Sequence, residues 1–114
     1  MKYSVLLSNI SSLDEAKKLA RRLVEARAVA CVNIIPGILS IYEWKGKVET
    51  EEEFMMLCKT SSERVPEAIR LIEELHPYDV PEIIELEMGR GLPAYLEWLD
   101  GVVSIGRKDD SPEG

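Results

Sequence analysis

Cysteine and histidine are scarce in this chain. Its 114 residues hold two cysteines, Cys31 and Cys58, and a single histidine, His76. Without a CxxC pair the sequence offers neither a disulfide framework nor a zinc-ligand set. No apolar run approaches the ~18 residues of a membrane-spanning helix, and the opening Tyr3–Leu7 segment is too short for the apolar part of a secretion signal. These absences predict a cytoplasmic protein that does not cross a membrane. Basic residues are outnumbered, 14 Lys and Arg against 21 Asp and Glu, for a net charge of -7. With no cationic stripe to track phosphates, nucleic acid is excluded as the expected partner. Gly-rich phosphate loops, a G-x-S-x-G elbow, internal repeats and low-complexity linkers are missing too, so nothing argues for a nucleophilic enzyme. The chain is expected to be no enzyme, and to form one domain over residues 1–106 with a polar tail at 107–114.

What is present is period. Tyr3, Val5 and Leu7 alternate with polar neighbours, which predicts a short first strand. Ser12 followed by Glu15 fits a capping box, and Ala16, Leu19, Ala20, Leu23 and Val24 recur at helical spacing up to about Arg27. After the long segment Ala30–Thr60, Ser61 and Ser62 can cap a second helix with Val65, Ala68, Ile69, Ile72 and Leu75 as its buried stripe. The prolines of His76-Pro77-Tyr78-Asp79-Val80-Pro81 end that helix. Ile84, Leu86 and Met88 then predict a fourth strand, and Leu92, Tyr95, Leu96 and Leu99 a third helix. The order βαββαβ with an added C-terminal helix predicts an α+β fold, the ferredoxin-like split βαβ sandwich.

The segment from Ala30 to Thr60 reads as two arms turning at Trp44-Lys45-Gly46-Lys47. Each arm of about 14 residues would reach roughly 45 Å, against roughly 22 Å for a helix of about 15 residues. The hairpin should overshoot its own domain. Its two faces are both apolar, Ile38, Tyr42 and Trp44 on one and Leu39 and Ile41 on the other, so both are expected to pack. Length and pattern independently predict an obligate oligomer.

Candidate chemistry is thin. With a two-residue Lys45-Gly46 loop, Cys31 would face Thr60, Cys58 would face Asn33, and the two thiols would share a sheet face, a soft pair suited to Cu(I). A bulge at Pro36-Gly37 would instead shift the parity and put them on opposite faces. His76 either closes its helix, where the macrodipole favours a cation, or serves as a metal ligand or proton donor beside Tyr78 and Asp79. The glutamates Glu49, Glu51, Glu52 and Glu53 suit a protected strand edge with ion pairs across a subunit contact better than a hard-cation loop.

Several of these segments resemble the CutA family of divalent-cation tolerance proteins. They are Ala30-Cys31-Val32-Asn33-Ile34-Ile35-Pro36-Gly37, Ser40-Ile41-Tyr42-Glu43-Trp44-Lys45-Gly46, Lys59-Thr60, His76-Pro77-Tyr78-Asp79-Val80-Pro81-Glu82 and Tyr95-Leu96-Glu97-Trp98-Leu99. The likeness covers about residues 2–105. It implies a tight homotrimer whose long hairpins reach onto neighbouring subunits, and a role in tolerance to copper and other divalent cations. It implies copper or another divalent cation as ligand, Cys31 and His76 as its metal residues, and an intersubunit cleft with Lys59, Tyr78 and Trp44. Copper-binding relatives carry a cysteine late in the first strand and two histidines before the Pro-Tyr motif; Ser8 and Leu75 stand at two of those positions here. The alternatives are a trimeric small-ligand sensor resembling the PII proteins, with Lys59, Arg90 and Arg107 as anion-binding residues, and a structural scaffold for partner proteins.

Overall fold

The structure is a computed structural model that describes residues 2–104. Its elements are β1 (Tyr3–Ile10), α1 (Leu13–Glu25), β2 (Cys31–Trp44), β3 (Lys47–Ser61), a 3-10 turn (Ser62–Arg64), α2 (Val65–Leu75), β4 (Ile84–Glu87) and α3 (Pro93–Ser104). The four strands form one sheet in the order β2-β3-β1-β4, with each neighbouring pair antiparallel. That is the expected ferredoxin-like arrangement. The expected polar tail at 107–114, with Arg107, lies outside the described residues.

α1 starts where the capping box puts it, with the Glu15 N–H donating to Ser12 Oγ at 3.2 Å. Ala16, Leu19 and Leu23 then turn inward from α1, and Val65, Ala68 and Ile72 from α2. They meet Leu6, Ile10, Met56 and Cys58 from one face of the sheet, which makes the core. α3 lies on the other face, where Leu99 and Val103 pack with Ala30 and Tyr3. α3 therefore covers part of the surface that a pure βαββαβ unit leaves open.

The hairpin has the predicted length, 14 residues in β2 and 15 in β3. At 13 residues α1 spans roughly 20 Å. The molecule measures 54 × 28 × 21 Å. β1 pairs with β3 only as far as Ile10 opposite Phe54, so Lys47–Glu53 and the arm of β2 beside it project beyond the body. The turn is tight because Lys45 and Gly46 both take positive φ, 52° and 83°. That pair is what a two-residue loop needs to follow the twist of its strands.

Pro36 and Gly37 decide the register. Trp44 pairs with Lys47 and Ile38 with Glu53, but the ladder then slips and resumes with Ile35 opposite Met55. Gly37 sits at φ 75°, open to glycine at no steric cost, and Pro36 lies on an edge strand where its missing N–H is tolerated. Beyond the bulge Cys31 pairs with Lys59 and Val32 with Cys58. The expectation that Cys31 faces Thr60 and Cys58 faces Asn33 is thus corrected by one residue. Since paired residues share a face and neighbours along a strand do not, the thiols point to opposite sides of the sheet. A shared-face Cu(I) thiolate pair is ruled out by that bulge.

Cys58 is fully buried, and burial, with a smaller contribution from the Cys31 charge, pushes its thiol from 9.0 up to about 12. The unfolded chain loses this proton first, so the stability it contributes is whole below about pH 9 and is lost as the pH climbs toward 12. Cys58 is therefore expected to resist alkylation at pH 8 until the chain unfolds globally. Native-state labelling read by mass spectrometry checks this; modification of Cys58 in the folded protein would contradict its placement.

Candidate functional site

The outer half of the hairpin leans over the segment that follows α2, and a cleft of about 690 Å³ opens between them. Ser40, Tyr42 and Trp44 from β2 and Glu51 and Glu53 from β3 all project from one sheet face, because each pairs with a member of the same set or alternates with it. Tyr78, Asp79, Val80 and Glu82 close the other side. His76-Pro77 and Pro81 hold that side extended, since a residue before proline avoids helical geometry.

Glu53 is the centre of the cleft. It is only 6 % exposed, and two hydroxyls donate to its carboxylate: Ser40 Oγ at 2.7 Å to Oε1 and Tyr78 OH at 2.7 Å to Oε2. Such charge-assisted bonds offset the cost of burying an ionised group. Ser40 reaches Glu53 diagonally across the ladder, and Tyr42 OH reaches Glu51 Oε1 in the same diagonal sense at 2.9 Å. Burial, aided by its bond to Glu53 and partly opposed by a contact with Ser11, pushes the Tyr78 phenol up to about 12. The hydrogen bond to Glu51 raises Tyr42 as well. Both phenols therefore stay protonated donors at neutral pH.

His76 lies beneath this wall and is 7 % exposed. The Tyr78 backbone N–H donates to its Nδ1 at 3.1 Å, which places the ring proton on Nε2 facing the Asn9 carbonyl oxygen at 2.9 Å. Its own N–H caps α2 on Ile72 O at 2.8 Å, and its ring stands edge-on to Tyr78 at 4.6 Å. Both ring nitrogens are thus committed to tying the Tyr78 segment to the end of β1. Cys31 is elsewhere. It is half-buried at the start of β2, with Sγ 3.8 Å from Asn33 Oδ1. The Val5–Lys59–Cys31 row and the Asn9 row that His76 touches are four residues apart along β1, about 13 Å along the strand.

Of the five residues expected at a site, Trp44 and Tyr78 line one cleft, and His76 supports it from behind. Lys59 does not join them. Its ammonium lies 5.8 Å from the Tyr95 ring on the α3 side, in the same row as Cys31. Ser8 is buried on the helix side of the sheet with no partner for its hydroxyl. Among the described residues no three His, Cys, Asp or Glu side chains converge as a metal cage. A copper site made of Cys31 and His76 does not fit within one chain. What sequence reasoning missed is the pairing of Glu53 with Ser40 and Tyr78, and the part of Asn9. Glutamate inside a strand was the one visible signal, since strands disfavour it.

The fold and cleft define a class, a ferredoxin-like α+β domain with an overlong central hairpin. Over residues 4–102 the chain matches the sequence profile described as CutA1 divalent ion tolerance protein, and it belongs to that family. It is 49% identical over 87 residues to "Protein CutA" of Mus musculus, which covers 76% of this chain and 49% of the mouse protein. The chain thus spans about half the length of that relative. It is 43% identical over 95 residues to "Divalent-cation tolerance protein CutA" of Thermus thermophilus, covering 83% of this chain and 92% of that one. Among solved structures, CutA from Xylella fastidiosa superposes with a TM-score of 0.88 at 38% identity, over 90% of this chain and 99% of that chain. Among the described residues no helix is long and apolar enough to cross a membrane.

Proposed function

We propose that this chain acts as a non-catalytic homotrimer in tolerance of divalent cations, each hairpin seated on the neighbouring subunit. One observation carries the assembly. The projecting arm exposes apolar side chains on both faces, Leu39 61%, Ile41 65% and Val48 77% on one and Trp44 55% on the other. Contiguous apolar surface of that kind on a free chain marks a protein contact. Light scattering coupled to size exclusion is expected to give three times the chain mass at micromolar concentration; a monomer would end this reading.

Copper enters this reading as a weak ligand at the subunit contact, held by Cys31. Its half-exposed thiol has only the long Asn33 contact to give up, whereas His76 would have to abandon a structural bond. Thiolate suits Cu(I). In Cu(I) titrations under reducing conditions, Cys31→Ser is expected to remove binding while His76→Ala keeps it and unfolds more easily. Binding lost in a still-folded His76→Ala protein would reverse the assignment. Two free thiols on opposite faces also favour a reducing compartment, the cytoplasm.

A further inference from the structure

His76 is held in one protonation state by its own contacts. Its Nδ1 accepts the Tyr78 backbone N–H at 3.1 Å and so must keep a lone pair, while Nε2 carries the proton that faces the Asn9 carbonyl oxygen at 2.9 Å. A second ring proton has no partner there. It would sit on Nδ1 and point at the Tyr78 N–H, donor against donor, and at 7 % exposure the ring leaves little space for water to step between them. The surroundings nevertheless favour a positive ring. His76 ends α2, whose last turn holds no basic residue and whose C-terminus attracts a cation. Among ionisable groups on the elements around the ring, α2 brings Glu73 and Glu74, the latter bonded to Arg70 at 3.0 Å. The segment after α2 brings Tyr78 edge-on to the ring, Asp79, and Glu82 bonded to Asn9, and β3 brings Glu53, one bond beyond Tyr78. Arg70, the one base in this set, already holds two carboxylates.

We propose that His76 is an acid-operated latch on the projecting arm: a second proton on its ring expels the Tyr78 backbone N–H, and the Tyr78 segment then releases Glu53. The geometry couples the two events. Tyr78 carries both contacts, its N–H on His76 Nδ1 and its OH on Glu53 Oε2 at 2.7 Å, so a backbone shift at one end pulls on the other. Glu53 lies at the root of the arm, next to Phe54, where the β1–β3 ladder ends. Its other oxygen stays with Ser40, inside the hairpin. Release therefore uncouples the arm from the segment after α2 and leaves the β2–β3 ladder intact. Histidine is the side chain whose charge changes in the mildly acidic range, and opening grows as the pH falls. The Tyr78 phenol stays protonated throughout, so the response does not come from Tyr78 itself. All of these contacts lie within one chain. The latch thus depends neither on copper nor on what covers the arm.

Nuclear magnetic resonance of the full-length protein, with its single histidine labelled in the ring nitrogens, reads the proton directly. At mildly alkaline pH the ring is expected as the Nε2–H tautomer, and on acidification both nitrogens should become protonated. Over the same pH range, exchange of the Tyr78 amide, corrected for its intrinsic rate, should accelerate by about tenfold or more, and the Overhauser contact between the Tyr78 ring and Glu53 should fade. His76→Gln keeps a neutral N–H for the Asn9 carbonyl and takes up no proton, so its Tyr78 amide should show no such step. Three results would overturn the proposal: a ring that stays singly protonated until the chain unfolds, a doubly protonated ring beside a Tyr78 amide still protected, or the same step in the glutamine variant. Should that variant fail to fold, the wild-type curves decide, since ring and amide midpoints more than about one pH unit apart separate the two events and refute the latch.

Discussion

Replacing Ile41–Thr50 with a two-residue Asn-Gly turn is expected to convert the assembled protein into a folded monomer, a threefold fall in mass by light scattering. Ser40 and Glu51 face each other in the ladder, so a two-residue turn joins them in register. None of the deleted residues belongs to either core cluster. The far-UV circular dichroism should therefore keep its helical signal while the oligomer is lost. The removed arm holds Ile41, Tyr42, Trp44 and Val48, all exposed in the single chain. A shortened protein that remains trimeric would show that the subunits meet elsewhere, on the sheet face beside α3 or along the edge of β2.

Ile72→Ala is expected to cost about 2–5 kcal/mol, a large share of the roughly 5–15 kcal/mol that holds a domain of this size. Ile72 is fully buried where α2 meets the sheet, in the same cluster as Leu23 and Met56, and close packing leaves its neighbours little room to collapse into the hole. Leu39→Ala is the informative partner. At 61% exposure Leu39 should matter little in an isolated chain, within about 0.5 kcal/mol. In the assembled protein it should destabilise by 1 kcal/mol or more, roughly the worth of the methylenes withdrawn from water. Urea unfolding of both variants at two protein concentrations checks this. A Leu39→Ala effect that is negligible and independent of concentration would place that face in solvent and leave the two-faced pattern of the hairpin unexplained.

The helical stripes and the outer hairpin were legible because their signals are local, although α2 begins after the Ser62–Arg64 turn, with Arg64 at its N-cap and no side-chain cap from Ser61 or Ser62. Ser12 and Glu15 start α1 by a hydrogen bond three residues long, and the stripe Val65, Ala68 and Ile72 repeats at the pitch of the helix it forms. The Lys45-Gly46 turn fixes the ladder as far as Ile38 because a two-residue loop allows only one pairing there. The register of the inner hairpin was not legible. Whether Pro36-Gly37 forms a bulge depends on how β3 runs on to meet β1 and on which face must enter the core, and either outcome is compatible with the same residues. On that one-residue slip hang the opposite orientations of Cys31 and Cys58.

The cleft within the single chain was not legible as such: Trp44 and Tyr78, expected at a contact between subunits, both line it. Lys59 could be picked out equally well and lies on another part of the sheet beside Tyr95. Nothing in the chain says that His76, next to the exposed Pro77, is buried with both nitrogens engaged on Asn9 and Tyr78, residues 67 and 2 positions away. Long-range hydrogen bonds leave no periodicity behind.

The sequence by itself determined the element order, the overlong hairpin and its two apolar faces, since each follows from spacing within a dozen residues. Only the tertiary structure decided which side chains share a face, that Glu53 is buried between Ser40 and Tyr78, and that Cys31 and His76 stand apart. Those outcomes turn on register and on contacts between distant segments, where a shift of one residue reverses a side chain while leaving every local preference satisfied.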